Sequence, residues 1–218
     1  MGHDVRIRHI VEGDWDAIVA LEAATYSAGA LSEERHALES RARSSPGTCF
    51  VLDFEQRPAG YVLALPYPMF RYPDLSRAED VVHHSRNLHL HDLVVAEHVR
   101  GNGLARELLH RLTATARAKK YERISLIAVG GSEAFWSANA FDAVPEVALA
   151  PGYGAGAVYM SKTLSTSRAA YTAGPAYTAG PTYTADPTYM SEAVHEDRDA
   201  RRRSQPMVPS ADHPRKTK

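Results

Sequence analysis

The stretch Leu93-Val94-Val95-Ala96-Glu97-His98-Val99-Arg100-Gly101-Asn102-Gly103-Leu104-Ala105 decides how this chain is read. An apolar strand ends, a short loop follows, and a helix begins. The helix is expected over Asn102 to Lys119, with Leu104, Leu108, Leu109, Leu112 and Ala116 on one side and Arg106, Glu107, His110 and Arg111 on the other. Glycines at 101 and 103 let backbone N–H groups approach a ligand with no Cβ in the way. Those free amides and the helix N-terminus make an anion site suited to a pyrophosphate, and Arg100 adds a positive charge at its edge. A dinucleotide fingerprint would place a third glycine where Arg106 stands and a carboxylate at the end of the next strand, which instead closes Val129-Gly130-Gly131. Phosphate binding therefore survives this comparison and dinucleotide binding recedes.

Working outward, Val5 to Ile10 reads as a strand, and Asp14 as the N-cap of a helix carrying Trp15, Ile18, Val19, Leu21 and Glu22. Ser32-Glu33-Glu34-Arg35 opens a second helix with a capping-type start, fading by Pro46. Thr48 to Asp53 and Pro58 to Leu65 form a strand pair, and Pro66 to Arg86 is irregular. Leu88 to Val95 is a strand, Arg123 to Val129 a buried strand, Ser132 to Asn139 a short helix, and Phe141 to Leu149 and Ala155 to Leu164 the last two strands. The order β-αα-βββ-α-β-α-ββ predicts an α/β (α+β) domain, a mixed sheet with helices on its faces.

The chain has 218 residues, 44% of them hydrophobic, which is room for one domain with a real core. Composition shifts after Leu164, so the domain is expected over 1–164 and a low-complexity tail over 165–218. A hexapeptide repeat runs from Ala170-Tyr171-Thr172-Ala173-Gly174-Pro175 onward, and its prolines block helix while tyrosine is its only apolar bulk. Such a segment buries too little to offset its ordering entropy, and disorder is expected there. A net charge of −1 excludes a nucleic-acid binder that relies on bulk positive charge. Cys49 is the single cysteine and lies in the run Cys49-Phe50-Val51-Leu52, so it reads as buried packing, not as a disulfide or cluster ligand. No window approaches the ~18 apolar residues of a membrane span, and a cytoplasmic protein is the default.

Two segments resemble a known family. Arg100-x-x-Gly103-x-Ala105 is similar to the Arg/Gln-x-x-Gly-x-Gly/Ala signature of the GNAT superfamily of acetyl-CoA-dependent N-acetyltransferases. Phe135-Trp136-Ser137-Ala138-Asn139-Ala140-Phe141 resembles that family's later Phe-Tyr-x-x-x-Gly-Phe element. The resemblance covers about residues 4–164. It implies a GNAT-like fold, a mostly antiparallel central sheet splayed at its fourth strand and flanked by about four helices. It also implies acetyl-CoA as co-substrate with no metal. Backbone amides of Gly101, Asn102, Gly103, Leu104 and Ala105 would hold the pyrophosphate, with Arg100 beside them, and Leu93, Val94 and Val95 would meet the pantetheine arm and the reacting carbonyl.

Leu88-His89-Leu90-His91-Asp92 stands just before this loop. On a regular strand His89 and His91 share a face. The alternation breaks into Leu93-Val94-Val95, which predicts a β-bulge that opens the sheet. The pair is also similar to the paired histidines of serotonin N-acetyltransferase. An alkylamine is mostly ammonium at neutral pH, so a base near pKa ~6.5 suits removal of its proton. Packed histidines without a role and a metal site are the competing readings, the latter short of a third convergent ligand. Where the family often has a tyrosine as general acid, this chain has Trp136, and Ala140 replaces the usual glycine. Tyr153, and less so Tyr159, are the substitute acids. Tyr67, Phe70 and Tyr72 are expected as aromatic walls of the acceptor cleft, Asp74, Glu79 and Asp80 as charge for a cation, and Glu22 and Tyr26 as contributors from the first helix.

The expected function is transfer of an acetyl group from acetyl-CoA to the primary amine of a small molecule. A GNAT-like module that binds acyl-CoA without turnover is the alternative, and a nucleotide-binding protein is a third. The expected partner is the amine; a second copy of the chain is an open option, and nucleic acid and membrane are not expected.

Overall fold

The computed structural model describes residues 4–26 and 31–164. The expectations about the repeat and the tail fall outside the described residues.

The element order matches the pattern in the sequence. Strand β1 is Val5–His9, α1 Trp15–Tyr26, α2 Arg35–Ser44, β2 Phe50–Phe54, β3 Arg57–Pro66 and β4 Asn87–Val95. Then come α3 Leu104–Ala118, β5 Arg123–Ala128, α4 Glu133–Ser137, β6 Asp142–Ala143 and β7 Val158–Thr163. The seven strands form one sheet in the order β1-β2-β3-β4-β5-β7-β6. Every pairing is antiparallel except β4 with β5.

The sheet carries a core on each face. On one, Leu104, Leu108, Leu109, Leu112 and Ala116 of α3 pack on Phe50, Val62, Leu88, Leu90 and Ile124, with Trp136 and Phe141 beside them. These α3 positions recur every three to four residues, so one stripe is buried and Arg106, Glu107, His110 and Arg111 stay exposed. On the other face, Trp15 and Ile18 of α1 and Leu38 and Ala42 of α2 pack on Cys49, Tyr61, Leu63 and Val94. Cys49 is buried as expected, and burial pushes its thiol up to about 12. With both faces covered, β3 reads as an unbroken apolar run from Tyr61 to Leu65.

Several local readings need correction. Asp14 is not a simple N-cap: a 3₁₀ turn, Glu12–Asp14, leads into α1, and the Asp14 carboxylate accepts the Val11 N–H at 2.8 Å while Arg8 donates to both of its oxygens. Ser32 does not cap α2, since Glu34 is the N-cap and the Ser32 hydroxyl donates to Glu22 instead. The strand expected from Phe141 to Leu149 shrinks to Asp142–Ala143. Pro145 cannot donate to a ladder, and the chain leaves the sheet there.

A bulge in β4 is present, two residues before the break that the pattern indicated. The register jumps from Leu63↔Asp92 to Ala64↔Leu90, so His91 is the extra residue. Leu90 and Leu93 face α3, whereas His91 and Asp92 both turn to the side of α1 and α2. The apolar run Leu93-Val94-Val95 is no phase break: Val94 and Val95 are buried in opposite cores. β4 pairs with β5 only over Asn87–His89; beyond that the strands part and the sheet is splayed.

Candidate functional site

The gap between the parted strands is a cleft of about 680 Å³, inside the range that small-molecule sites occupy. One wall is β4 from Leu90 to Val95, and the other is Leu126, Ile127, Val129 and Gly130 with Phe135 and Trp136.

At one end Arg100 and Ala105 line the cleft, and the glycine loop runs between them, itself outside the lining. Gly101 and Gly103 both take left-handed φ, 84° and 81°, which suits glycine alone without strain. A Cβ built on either would meet nothing of the protein within 4 Å, so the ground in front of the loop is open. The N–H groups of residues 101–105 have no partner among the described residues, and they head a helix of 15 residues. This is an anion cradle of the kind a pyrophosphate needs. Arg100 lines the cleft, its Nε donating to the Val95 carbonyl at 3.0 Å, and Ala105 lines it from α3. Asn102 is spent locally, its amide donating to Val99 O at 3.1 Å. Leu93, Val94 and Val95 all reach the cleft, and Leu104 is buried behind it.

The other end is built from charged side chains contributed by distant segments. The bulge turns His91 toward the segment before α2, where its Nε2 meets Glu33. A carboxylate only accepts, so the His91 proton sits on Nε2, and Nδ1 has no partner among the described residues. Burial alone would raise Glu33, but His91 and Arg41 outweigh it and hold the carboxyl below its ordinary value. Glu33 is itself held by Glu22, which accepts its backbone N–H at 2.7 Å and the Ser32 hydroxyl at 2.8 Å. Burial raises Glu22, and it also raises Asp92, which accepts from Tyr26 at 2.8 Å and from Tyr61.

The two histidines are neighbours with different surroundings. Their ring centroids lie 6.5 Å apart, yet only His91 lines the cleft. His89 is 1% exposed and sits behind it. Ser125 accepts from the Asn87 amide at 2.8 Å, so its own hydroxyl is free to donate to His89 Nδ1 at 3.1 Å. Burial, then the neighbouring His91 and Arg41, push His89 well below the usual histidine range, and the ring is neutral.

Tyr153 also reaches the cleft, from a short 3₁₀ turn, Pro151–Tyr153. Its hydroxyl donates to Pro73 O at 2.7 Å, and burial holds its proton more tightly than in a free tyrosine. Tyr159 lies outside the cleft, its hydroxyl accepting the Phe70 N–H at 3.2 Å. Trp136 has no hydroxyl to offer, and its indole N–H goes to Ser132 at 3.1 Å.

The segment 67–86 contributes less than expected, with Leu75 its one residue on the cleft. Tyr67 packs on His83, Tyr72 binds the 144–157 connection, and Glu79 is paired with Arg41. Phe70, Asp74 and Asp80 do not line the cleft either. The aromatic walls are Tyr26, Phe135, Trp136 and Tyr153, and the charge comes from Glu22, Glu33 and Asp92. Tyr26 and Glu22 were legible as contributors. Glu33 and Arg41 were not, because a buried ion pair eight residues apart looks in sequence like two solvated residues. Among the described residues no group of three His, Cys, Asp or Glu is arranged to hold a metal, and no helix is long and apolar enough to cross a membrane.

Comparison with known proteins agrees with this architecture. No curated protein matches by sequence. Among solved structures, Ard1 from Thermoplasma volcanium superposes with TM-score 0.58 at 16% identity, covering 73% of this chain and 97% of its own. A ribosomal-protein-alanine N-acetyltransferase from Brucella melitensis gives 0.55 at 22%, covering 73% and 99%. A GNAT-like decarboxylase, GphF, in complex with isobutyryl-CoA gives 0.57 at 21%, covering 73% and 100%. These likenesses speak to the fold. The profile of the family described as Acetyltransferase (GNAT) matches residues 15–138, more than half of the sequence. The chain is a member of the GNAT acetyltransferase family, with acetyl-CoA as its acyl donor.

Proposed function

We propose that the protein transfers the acetyl group of acetyl-CoA to the primary amine of a small molecule, within residues 1–164. What supports this reading is a cleft lined at one end by Arg100 and Ala105, which flank the glycine loop, and at the other by a histidine backed by a carboxylate. In this reading the loop amides from Gly101 to Ala105 bind the pyrophosphate, with Arg100 at their edge, and Leu93 to Val95 lie along the pantetheine arm. When bound, acetyl-CoA supplies the thioester carbonyl that a free amine attacks.

His91 is the base. Its Nδ1 lone pair takes a proton from the ammonium, and the Glu33 carboxylate at Nε2 offsets the positive charge the ring gains. The cleft's carboxylates favour a cationic acceptor. His89 keeps the His91 side of the strand dry and stays neutral, a supporting rather than a proton-accepting role. A backbone N–H at Val94 or Val95 faces the charge that builds on the carbonyl oxygen. Tyr153 serves as acid only after giving up Pro73. A thiol of pKa ~8.5 departs largely as thiolate, so the acid is not decisive.

Thiol release from acetyl-CoA across a panel of amines tests the reading. Turnover with small alkylamines and none with peptide N-termini is the expected result. If acetyl-CoA raises the melting temperature yet no amine releases thiol, the protein is a binding module, as the missing hydroxyl at Trp136 would suit.

A further inference from the structure

Arg41 has a setting that acetyl transfer alone does not explain. It is 0% exposed, in the middle of α2. On one side it donates to Glu33, through Nε at 3.1 Å and through Nη2. On the other it grips the segment 67–86, which has no helix or strand of its own: Nη1 meets Glu79 at 2.9 Å, and Nη2 meets the carbonyls of Asp74 at 3.0 Å and Arg77 at 3.3 Å. Ser40 adds a tie, its hydroxyl accepting the Glu79 N–H at 2.8 Å. The same segment is pinned from the opposite side. Tyr72 donates to Ala148 O at 3.0 Å and accepts the Ala150 N–H at 2.8 Å, and Pro73 O takes the Tyr153 hydroxyl. It is a strap, fastened to α2 and to the connection before β7, with Leu75 on the cleft between them.

A buried guanidinium is costly unless every donor is engaged. Here the donors are divided between the partner of the base and the strap. We propose that Glu33 and Arg41 are positioning residues: Glu33 fixes the His91 ring through its Nε2–H, and Arg41 fixes Glu33 only while the strap lies in place. The consequence rests on the acetyltransferase reading above. The first ammonium proton moves to His91 Nδ1 and frees the lone pair; the nitrogen then attacks the thioester carbonyl, the N–C bond forms as the C–S bond breaks, and the second nitrogen proton passes to the leaving thiolate. An acceptor that arrives already unprotonated skips the first of these proton transfers, the one His91 makes. Glu22 holds the Glu33 backbone, and Asp92 and Tyr26 line the same cleft but bond to each other, with buried Tyr61 also donating to Asp92, so among the described residues Glu33 is the hydrogen-bond partner of His91.

The experiment compares two acceptors, an alkylamine that is ammonium at neutral pH and an arylamine that is not. For Glu33→Gln, kcat with the alkylamine should fall about 100-fold, in the range of lost general-base catalysis, while kcat with the arylamine should fall by much less and the acetyl-CoA-induced rise in melting temperature should persist. Glu33→Asp should recover part of the loss. Glu79→Gln, which weakens the strap's hold without touching His91, should give a smaller loss confined to the alkylamine. Equal losses with both amines, or none with either, overturn the proposal. Imidazole nitrogen NMR adds a readout independent of turnover. The neutral His91 ring should be the Nε2–H tautomer in the wild type and a mixture in Glu33→Gln, and an Nδ1–H ring in the wild type also overturns it. An absence of turnover with both amines in the wild type, beside the expected tautomer, counts against the proposed function and leaves the positioning pair standing.

Discussion

The two ends of the cleft are built on opposite principles. The donor end is one run, Arg100 to Ala105, in which residues 101–105 offer backbone amides to open space, and Gly101, Asn102 and Gly103 are exposed. The acceptor end is Glu22, Glu33, Arg41, His91 and Asp92, drawn from four separate segments, and each side chain is bonded to a protein partner. A backbone cradle needs one turn and one helix start, so a short motif can specify it. A side-chain site of this kind exists only once α1, α2 and β4 have packed. The difference predicts separable failures: damage to the loop should abolish cofactor binding, and damage to the acceptor end should leave binding intact and alter turnover.

The largest effect is expected at the loop. Replacing Gly101, Gly103 and Ala105 together with valine puts side chains where the cradle opens and strains two left-handed positions. Acetyl-CoA at about 100 times its dissociation constant stabilises a one-site protein by about 2.7 kcal/mol. A thermal-shift titration should show that rise in the wild type and none in the triple variant. An undiminished rise would dissolve the contrast, because the loop would then not be the cofactor's anchor.

That contrast also governs what could be read in advance. The glycine turn, the α3 stripe and the element order were legible because each is a short-range pattern with one physical period. The splay of the sheet was legible too, but its cause was misplaced. Leu93-Val94-Val95 looked like a slip in alternation, whereas a strand covered on both faces is apolar on both, and the slip is at His91. Glu33 and Arg41 gave no signal, since nothing local distinguishes a buried ion pair from a solvated one. The aromatics of 67–86 were misassigned because Tyr72 fastens the strap outward, to Ala148, and Tyr67 packs within it, on His83, while the cleft is walled by residues of α1, α4 and the turn at Tyr153.

The next effect sharpens the comparison inside the acceptor end. His91 and His89 are two residues apart, yet one meets Glu33 on the cleft and the other meets Ser125 behind it. His91→Ala should lower kcat for an alkylamine about 100-fold, and it should also lower the melting temperature, because it takes a partner from the buried Glu33 carboxylate. His89→Ala empties a buried site, and its main cost should be stability, by about 2–3 kcal/mol on the scale of large-to-small core changes. Steady-state kinetics beside thermal melts separate the two. Equal rate losses with unchanged stability in both would restore the pair to a shared role and erase the distinction drawn from the bulge.

The smallest effect compares one left-handed turn with another. Gly101 and Gly103 occupy that region with no Cβ, but Ala140 enters it at φ 65° as an L-residue. It does so for a structural reason. The N–H of Phe141 bonds to Trp136 O at 3.1 Å and that of Ala140 to Ser137 O at 3.0 Å, the paired bonds that end a helix in a Schellman motif. Holding alanine there costs about 1–2 kcal/mol, and glycine would remove that cost while adding about 0.4–1 kcal/mol of unfolded-state entropy. Ala140→Gly should therefore stabilise by about 0–1.6 kcal/mol net, a rise of at most about 3–6 °C for a chain of this size. The cap also seats Trp136 and Phe141, whose rings pack edge-on at 5.5 Å beside the cleft wall. A drop in melting temperature would mean that the alanine methyl contributes packing beyond the backbone strain. In that case the left-handed turn at the end of α4, unlike the one at the head of α3, would be held by its side chain.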